Sequence, residues 1–107
     1  MEQYRRLETP KLWAVFGTQT MGDDGTLSGF TLADPDTSVK IIIEDSTGDV
    51  VQALDDMTKS ATGKYYYAGY TIPSTANTGI WHYECRGTDS SGVSTGRGSF
   101  EVLEEVA

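Results

Sequence analysis

The stretch VKIIIE at residues 39–44 has the clearest β-strand pattern of this chain. Apolar Val39, Ile41 and Ile43 alternate with Lys40, Ile42 and Glu44. This period of two places one face of a β-strand in a core and the other towards solvent. A Ser-Thr-Gly-Asp turn follows at residues 46–49. Residues 50–54 are therefore predicted to return as the second arm of a hairpin.

The rest of the chain repeats this pattern of short strands separated by turns. Gly, Pro, Asn and Asp recur about every ten positions, and no stretch keeps a helical period. No regular structure is assigned to residues 55–59. The spacing predicts an all-β domain, an immunoglobulin-like antiparallel β-sandwich of about seven strands. Besides the first hairpin, the predicted strands are residues 12–16, 28–32, 65–72, 80–86 and 93–103.

The residues predicted to build the core lie on the apolar side of each strand or shape its entry. Gly79 gives the backbone the freedom to enter its strand so that the indole of Trp81 points between the two sheets. The core and structural positions are Trp13, Val39, Ile41, Ile43, Tyr65, Gly79, Trp81, Tyr83, Phe100 and Val102.

Length and charge limit the domain organisation and the classes of partner. The chain has 107 residues, 16 acidic and 8 basic, for a net charge of −8. One sandwich domain is expected at residues 12–103, after a flexible N-terminal arm at 1–11 and before a short acidic tail at 104–107. Because the net charge repels phosphate backbones and anionic lipid, neither nucleic acid nor a membrane is expected as a partner. The polar residues 1–8 do not resemble a signal peptide, so synthesis in the cytoplasm is expected.

The residues give little support for catalysis, and no enzyme activity is predicted. The single histidine, His82, and Glu84 share the polar face of one strand and are expected to be solvated. Cys85 is the only cysteine, so no disulfide forms within the domain, and it has the parity of a buried hydrophobe.

No cofactor and no metal site are predicted. Three pairs of carboxylates invite a calcium hypothesis, because hard cations take several oxygen ligands from one loop. None has the spacing of a complete calcium-binding loop. The pairs are Asp23 with Asp24, Asp34 with Asp36, and Asp55 with Asp56.

The candidate interface residues are Ile42, Tyr66 and Tyr70. The tyrosines of residues 65–70 occupy both parities of one strand, so some face outward as interface anchors or only cap the core edge. Ile42 stands on the polar side of its strand. The glycine-rich stretch 92–98 is either a blunted sheet edge or a place where a partner strand adds.

Four short motifs occur in order along the chain: DPDT at residues 34–37, GKY at 63–65, GIWHY at 79–83 and FEV at 100–102. This layout resembles that of the small Ig-like virion proteins of tailed phages and related viruses. The resemblance implies a structural protein of a virus particle, located in the virion and docked on capsid, portal or neck proteins. It acts there as a head-tail connector or a capsid decoration protein, in a symmetric oligomer.

A second function from another class stays open at this point. Ig-like sandwiches also serve as adhesion or carbohydrate-binding modules of cell-surface proteins, and fold alone does not separate the two functions.

Overall fold

The computed structural model describes residues 1–21, 27–90 and 92–104. All regular structure in these ranges is β-strand, because short apolar runs with a period of two are separated by turn residues throughout. The strands are β1 (Gln3–Arg5), β2 (Leu12–Val15), β3 (Gly17–Met21), β4 (Leu27–Leu32), β5 (Ser38–Glu44), β6 (Val50–Asp56), β7 (Thr58–Ala61), β8 (Lys64–Tyr67), β9 (Gly79–Asp89) and β10 (Gly92–Leu103).

The strands form two facing sheets and a separate hairpin. The larger sheet has five strands in the order β1-β10-β9-β5-β6, and the smaller has three in the order β2-β8-β7. Strands β3 and β4 pair only with each other. Neighbours are antiparallel except for β1 and β10, which run parallel. The predicted immunoglobulin-like β-sandwich is confirmed.

Strand β5 lies between β9 and β6, so both of its edges are hydrogen-bonded. Val39, Ile41 and Ile43 are buried while the residues between them are half-buried, as the alternation predicts. The hairpin partner β6 is exposed along most of its length, and its register with β5 shifts twice. These irregularities bend the strand and make its free edge a poor template for further pairing.

The core is aromatic around Trp81. The side chain of Trp81 is 1% exposed, and its ring centroid lies 5.8 Å from that of Phe100. Its indole Nε1 donates a 2.8 Å hydrogen bond to the backbone carbonyl of Asn77, so the buried N–H has a partner. Gly79 has a φ of 118°, a backbone conformation that only glycine adopts easily. Tyr65 and Val102 are also buried in this core, and Tyr83 packs against it.

The structure places Trp13 on the outside of the sandwich, where the sequence predicts a core position. Its side chain is 45% exposed. Strand β2 turns Leu12 inward and Phe16 follows it into the core, so Trp13 and Val15 take the outer parity. A strand with apolar residues on both parities gives no signal for which face is buried.

The N-terminal segment also differs from the predicted flexible arm. Tyr4 pairs with Val102 across β1 and β10, and its ring meets Phe100 edge-on at 5.6 Å. The backbone N–H of Leu7 donates to the carbonyl of Ile72, and the N–H of Ile72 donates to the carbonyl of Glu8. The arm is therefore ordered by the last strand and by the loop after β8.

The chain crosses between the sheets at Met57, within the segment to which the sequence assigns no regular structure. Strand β6 continues to Asp56, and β7 begins at Thr58 in the other sheet. The N–H of Met57 donates to the carbonyl of Val39, and its side chain is buried. Strand β8 is shorter than predicted and ends at Tyr67.

Candidate functional site

One side of the sandwich is open because two strand edges face each other there without a strand between them. Strand β2 is at the end of its sheet and has β8 on one side only. Strand β10 has β9 along residues 92–102, but on its other side β1 pairs only with Glu101–Leu103. Among the described residues, no strand neighbours the outer edge of residues 92–100. Within the part of the chain that the structure describes, both edges therefore present backbone groups without a strand partner.

A groove of about 350 Å³ lies between these two edges, and we call it the edge cleft. Its walls are formed by β2 from Trp13 onward and by the stretch Ser94–Arg97 of β10. Phe16, Pro35, Tyr83 and Cys85 supply apolar surface.

Gly96 leaves the β10 wall of the edge cleft without a side chain at one position. A Cβ atom built on Gly96 would meet no atom within 4 Å, so open space lies beside this glycine. Glycine in a strand often marks a place where another backbone approaches closely. At Gly98, by contrast, the space is filled by the ring of Tyr83.

The carboxylates at the end of the edge cleft are held by donors of this chain. Asp34 accepts hydrogen bonds from the backbone N–H of Gly63 at 2.7 Å and from the ammonium of Lys59 at 2.5 Å. These two contacts, the Gly63 amide first, hold the pKa of Asp34 below its usual value. Asp89 accepts a 2.6 Å bond from the N–H of Asp36. Both carboxylates therefore fix loops.

The thiol of Cys85 at the edge cleft has low reactivity. Its side chain is 2% exposed. Burial, assisted by the negative charge of Glu84, raises its pKa to about 11, so the nucleophilic thiolate is scarce at neutral pH. Cys85 is a core hydrophobe, which agrees with the parity of its strand.

An aromatic surface lies on the outside of the three-stranded sheet, and we call it the Trp13–Tyr66 face. Trp13 and Tyr66 are cross-strand partners whose ring centroids are 5.4 Å apart. The ammonium of Lys11 sits over both rings, 5.0 Å from the Trp13 centroid and 4.5 Å from that of Tyr66. Val15 and Lys64 form the next-but-one cross-strand pair, and both are exposed. The Trp13–Tyr66 face consists of these five residues.

The structure separates the three predicted interface residues. Tyr66 is half-buried on the Trp13–Tyr66 face. Tyr70 is half-buried against Trp81 at a centroid distance of 6.1 Å, and it belongs to the rim of the core. Ile42 lies on the outer side of the five-stranded sheet, in a shallow groove with Glu44 and His82. Of the three, only Tyr66 therefore belongs to one of the two surfaces described above, the Trp13–Tyr66 face.

Sequence reasoning missed Lys11, and it placed Gly96 only within a longer glycine-rich stretch. Lys11 precedes a strand and carries no motif, and its place over the two rings depends on the pairing of β2 with β8. The open space at Gly96 depends on β2 and β10, which meet only in the folded chain. The glycine-rich stretch 92–98 was the one usable signal, and it pointed to this edge.

The described residues offer no cluster of metal ligands. They contain no group of three or more His, Cys, Asp or Glu side chains placed to hold an ion. Asp36 accepts bonds from Thr37 and Ser90, and Asp55 accepts one from the Tyr67 hydroxyl, so these carboxylates already have protein donors. Asp23 and Asp24 lie outside the described residues. The described part of the chain also contains no helix long and apolar enough to cross a bilayer.

Comparisons with known proteins identify the fold. No family model and no curated protein matches the chain. The solved structure of CopC from Methylosinus trichosporium OB3b matches 100% of this chain and 89% of its own, with a TM-score of 0.57 and 16% sequence identity.

This match overturns the expected role in a virus particle and the expected location in the virion. The chain resembles a structure of CopC along its whole length, and nothing in this match supports a role in a virus particle or a location in the virion. The short motifs behind that expectation mark the turns and core aromatics of an Ig-like sandwich, and such features recur wherever the fold occurs. The chain has a β-sandwich fold in common with CopC.

Proposed function

We propose that this chain is a non-catalytic protein-binding module that takes an extended segment of a partner protein into the edge cleft. The observation that carries the proposal is the pair of free strand edges, β2 and residues 92–100 of β10, on the two sides of one apolar groove. A segment placed there hydrogen-bonds to a sheet edge while its alternate side chains enter the groove, which is the general geometry of strand addition.

The size and lining of the edge cleft suit an extended chain with a few apolar side chains. Its volume of about 350 Å³ is at the small end of the range of about 300–1,000 Å³ found for ligand pockets. Phe16, Tyr83 and Pro35 give it an apolar floor, while the two edges supply polar backbone groups. Gly96 leaves room for a second backbone beside β10.

The chemistry of the site supports binding over catalysis. The thiol at the edge cleft is protonated at neutral pH because its pKa is about 11, and the carboxylates Asp34 and Asp89 are held by donors of the chain. His82, the only histidine of the chain, lies on the outer side of the five-stranded sheet and not in the edge cleft. Among the described residues that line the edge cleft, no nucleophile has an adjacent base.

A library of random twelve-residue peptides, displayed on a carrier and selected on the purified protein, tests the proposal because the edge cleft itself chooses the sequences that fit. Selected peptides should carry apolar residues at alternate positions, since every second side chain enters the edge cleft. On binding, alternate amides among residues 93–97 should gain protection from hydrogen exchange, since the amides between them already bond to β9.

Two matched variants decide whether selected peptides use the edge cleft. Gly96→Leu fills it with a side chain at a position where the structure has open space. Ala53→Leu adds similar bulk at an exposed position of β6 that does not line the edge cleft. Binding should be lost in Gly96→Leu and retained in Ala53→Leu. Absence of selected peptides, equal binding to both variants, or unchanged exchange at residues 93–97 would overturn the proposal.

A further inference from the structure

We infer that the Trp13–Tyr66 face binds an acidic segment of a partner protein. This surface lies on the outside of the three-stranded sheet, although Trp13 and Val15 also border the edge cleft. The inference is therefore tested with the edge cleft filled, so that strand addition does not contribute.

The local charge of this sheet is opposite to that of the whole molecule. The chain carries a net charge of −8, with 16 acidic residues. Strands β2, β7 and β8 read LWAV, TKSA and KYYY, and they contain no Asp or Glu. A partner segment that docks here meets a basic surface, and its acidic groups are repelled by most of the remaining surface.

Lys11 and Lys64 of the Trp13–Tyr66 face form no ion pair with a described residue. The ion pairs of the described residues join Lys40 to Asp56, Lys59 to Asp34 and Arg86 to Glu84.

The aromatic rings hold Lys11 in place and offer apolar contact area. The Lys11 ammonium lies within 5.0 Å of both ring centroids, a distance at which a cation is attracted to the ring faces. This contact reduces the freedom that a lysine side chain would otherwise lose on binding an anion. Trp13 is 45% exposed and Val15 is 56% exposed, so apolar side chains of the segment can pack between its carboxylates.

Three synthetic peptides distinguish recognition of acidic groups from non-specific binding. Each has twelve residues in which valine alternates with glutamate, glutamine or lysine. Each titration follows tryptophan fluorescence. The same titration in a Trp13→Phe variant gives the contribution of buried Trp81, and subtracting it leaves the signal of Trp13. All titrations are done in the Gly96→Leu variant, so that binding in the edge cleft does not contribute.

The glutamate peptide should change the Trp13 signal most, and its affinity should fall with added salt because exposed charges are screened. Replacing Lys11 and Lys64 together by glutamine should weaken it roughly 3- to 10-fold, the range expected for two exposed ion pairs. The control Lys40→Gln with Arg86→Gln removes the same charge on the other sheet and should change the affinity by less than about 2-fold.

The inference is overturned if the glutamine or lysine peptide matches the glutamate peptide, or if the two double variants weaken binding equally. A neutral oligosaccharide that gives the larger Trp13 signal would also overturn it and would make the rings a sugar platform. Strand addition is judged separately by the loss of peptide binding in Gly96→Leu, so either idea can fail alone.

Discussion

The ring of Tyr83 lies across Gly98, its direct cross-strand partner, so closely that a Cβ atom on Gly98 would overlap the ring and its hydroxyl oxygen. Gly96, two residues earlier on the same strand, has open space where a side chain would start. One glycine is required by a packed ring, and the other borders the edge cleft. The two positions therefore differ in what they tolerate.

Gly98→Ala should lower the free energy of unfolding by about 1–3 kcal/mol, the usual cost of overpacking, because Tyr83 must move. Gly96→Ala should change it by less than about 0.5 kcal/mol. Urea denaturation of both variants measures the difference. Combining Gly98→Ala with Tyr83→Ala should show a coupling energy, and additive losses would mean that the ring does not rest on this glycine.

Trp81 should be the costliest single side chain to remove. Trp81→Ala should destabilise the domain by about 3–5 kcal/mol, as truncation of a buried aromatic does. Trp81→Phe should cost about 1–3 kcal/mol, because the packing against Phe100 is partly retained while the carbonyl of Asn77 loses its indole donor. The midpoint of urea unfolding reports both losses. A Trp81→Phe variant as stable as the native protein would show that the hydrogen bond contributes nothing.

Asp45 should make the stability of the domain depend on acidity. Its side chain is 6% exposed and accepts bonds from the hydroxyl and amide of Thr47, the amide of Asp49 and the side chain of Asn77. These bonds, the Thr47 hydroxyl first, hold the pKa of Asp45 below its ordinary value of 3.8.

A carboxyl group whose pKa is lowered in the folded state stabilises the fold above its unfolded pKa. This stabilisation is lost as the pH falls through the folded pKa. The melting temperature of the native protein should therefore exceed that of Asp45→Asn at pH 7, and the gap should narrow below a pH of about 3.8. Asp49→Asn in the same turn is the control. A gap that stays constant down to a pH of about 2 would contradict the assignment.

Cys85 should resist thiol reagents in the folded protein. Its burial raises the pKa to about 11, so little thiolate is present at pH 8 and the reagent has no access. A colorimetric disulfide reagent should react with it in concentrated urea within minutes and at least about 100-fold more slowly without denaturant. Equal rates in both solutions would place the thiol on the surface.

The parts of the fold that follow from local sequence were predictable, and those that depend on distant pairing were not. Val39, Ile41 and Ile43 were identified because their strand alternates cleanly. The sequence wrongly placed Trp13 in the core because its strand is apolar on both parities. A shift of one residue in register decides whether Leu12 or Trp13 faces outward. The edge cleft joins residues of β2 and β10, and no short motif encodes a gap between strands so far apart in the chain.

The parallel pairing of β1 with β10 sets the order in which the domain can be completed during synthesis. The side-chain amide of Gln3 donates a hydrogen bond to the carboxylate of Glu101, 98 residues away in sequence, and the ring of Tyr4 packs on Phe100. Until β10 leaves the ribosome, β9 lacks its longest neighbour and β1 has nothing to pair with. Because the β1–β10 contacts join residues 98 positions apart, they are the last to form, and until then β1 is the strand left open to pairing with another growing chain.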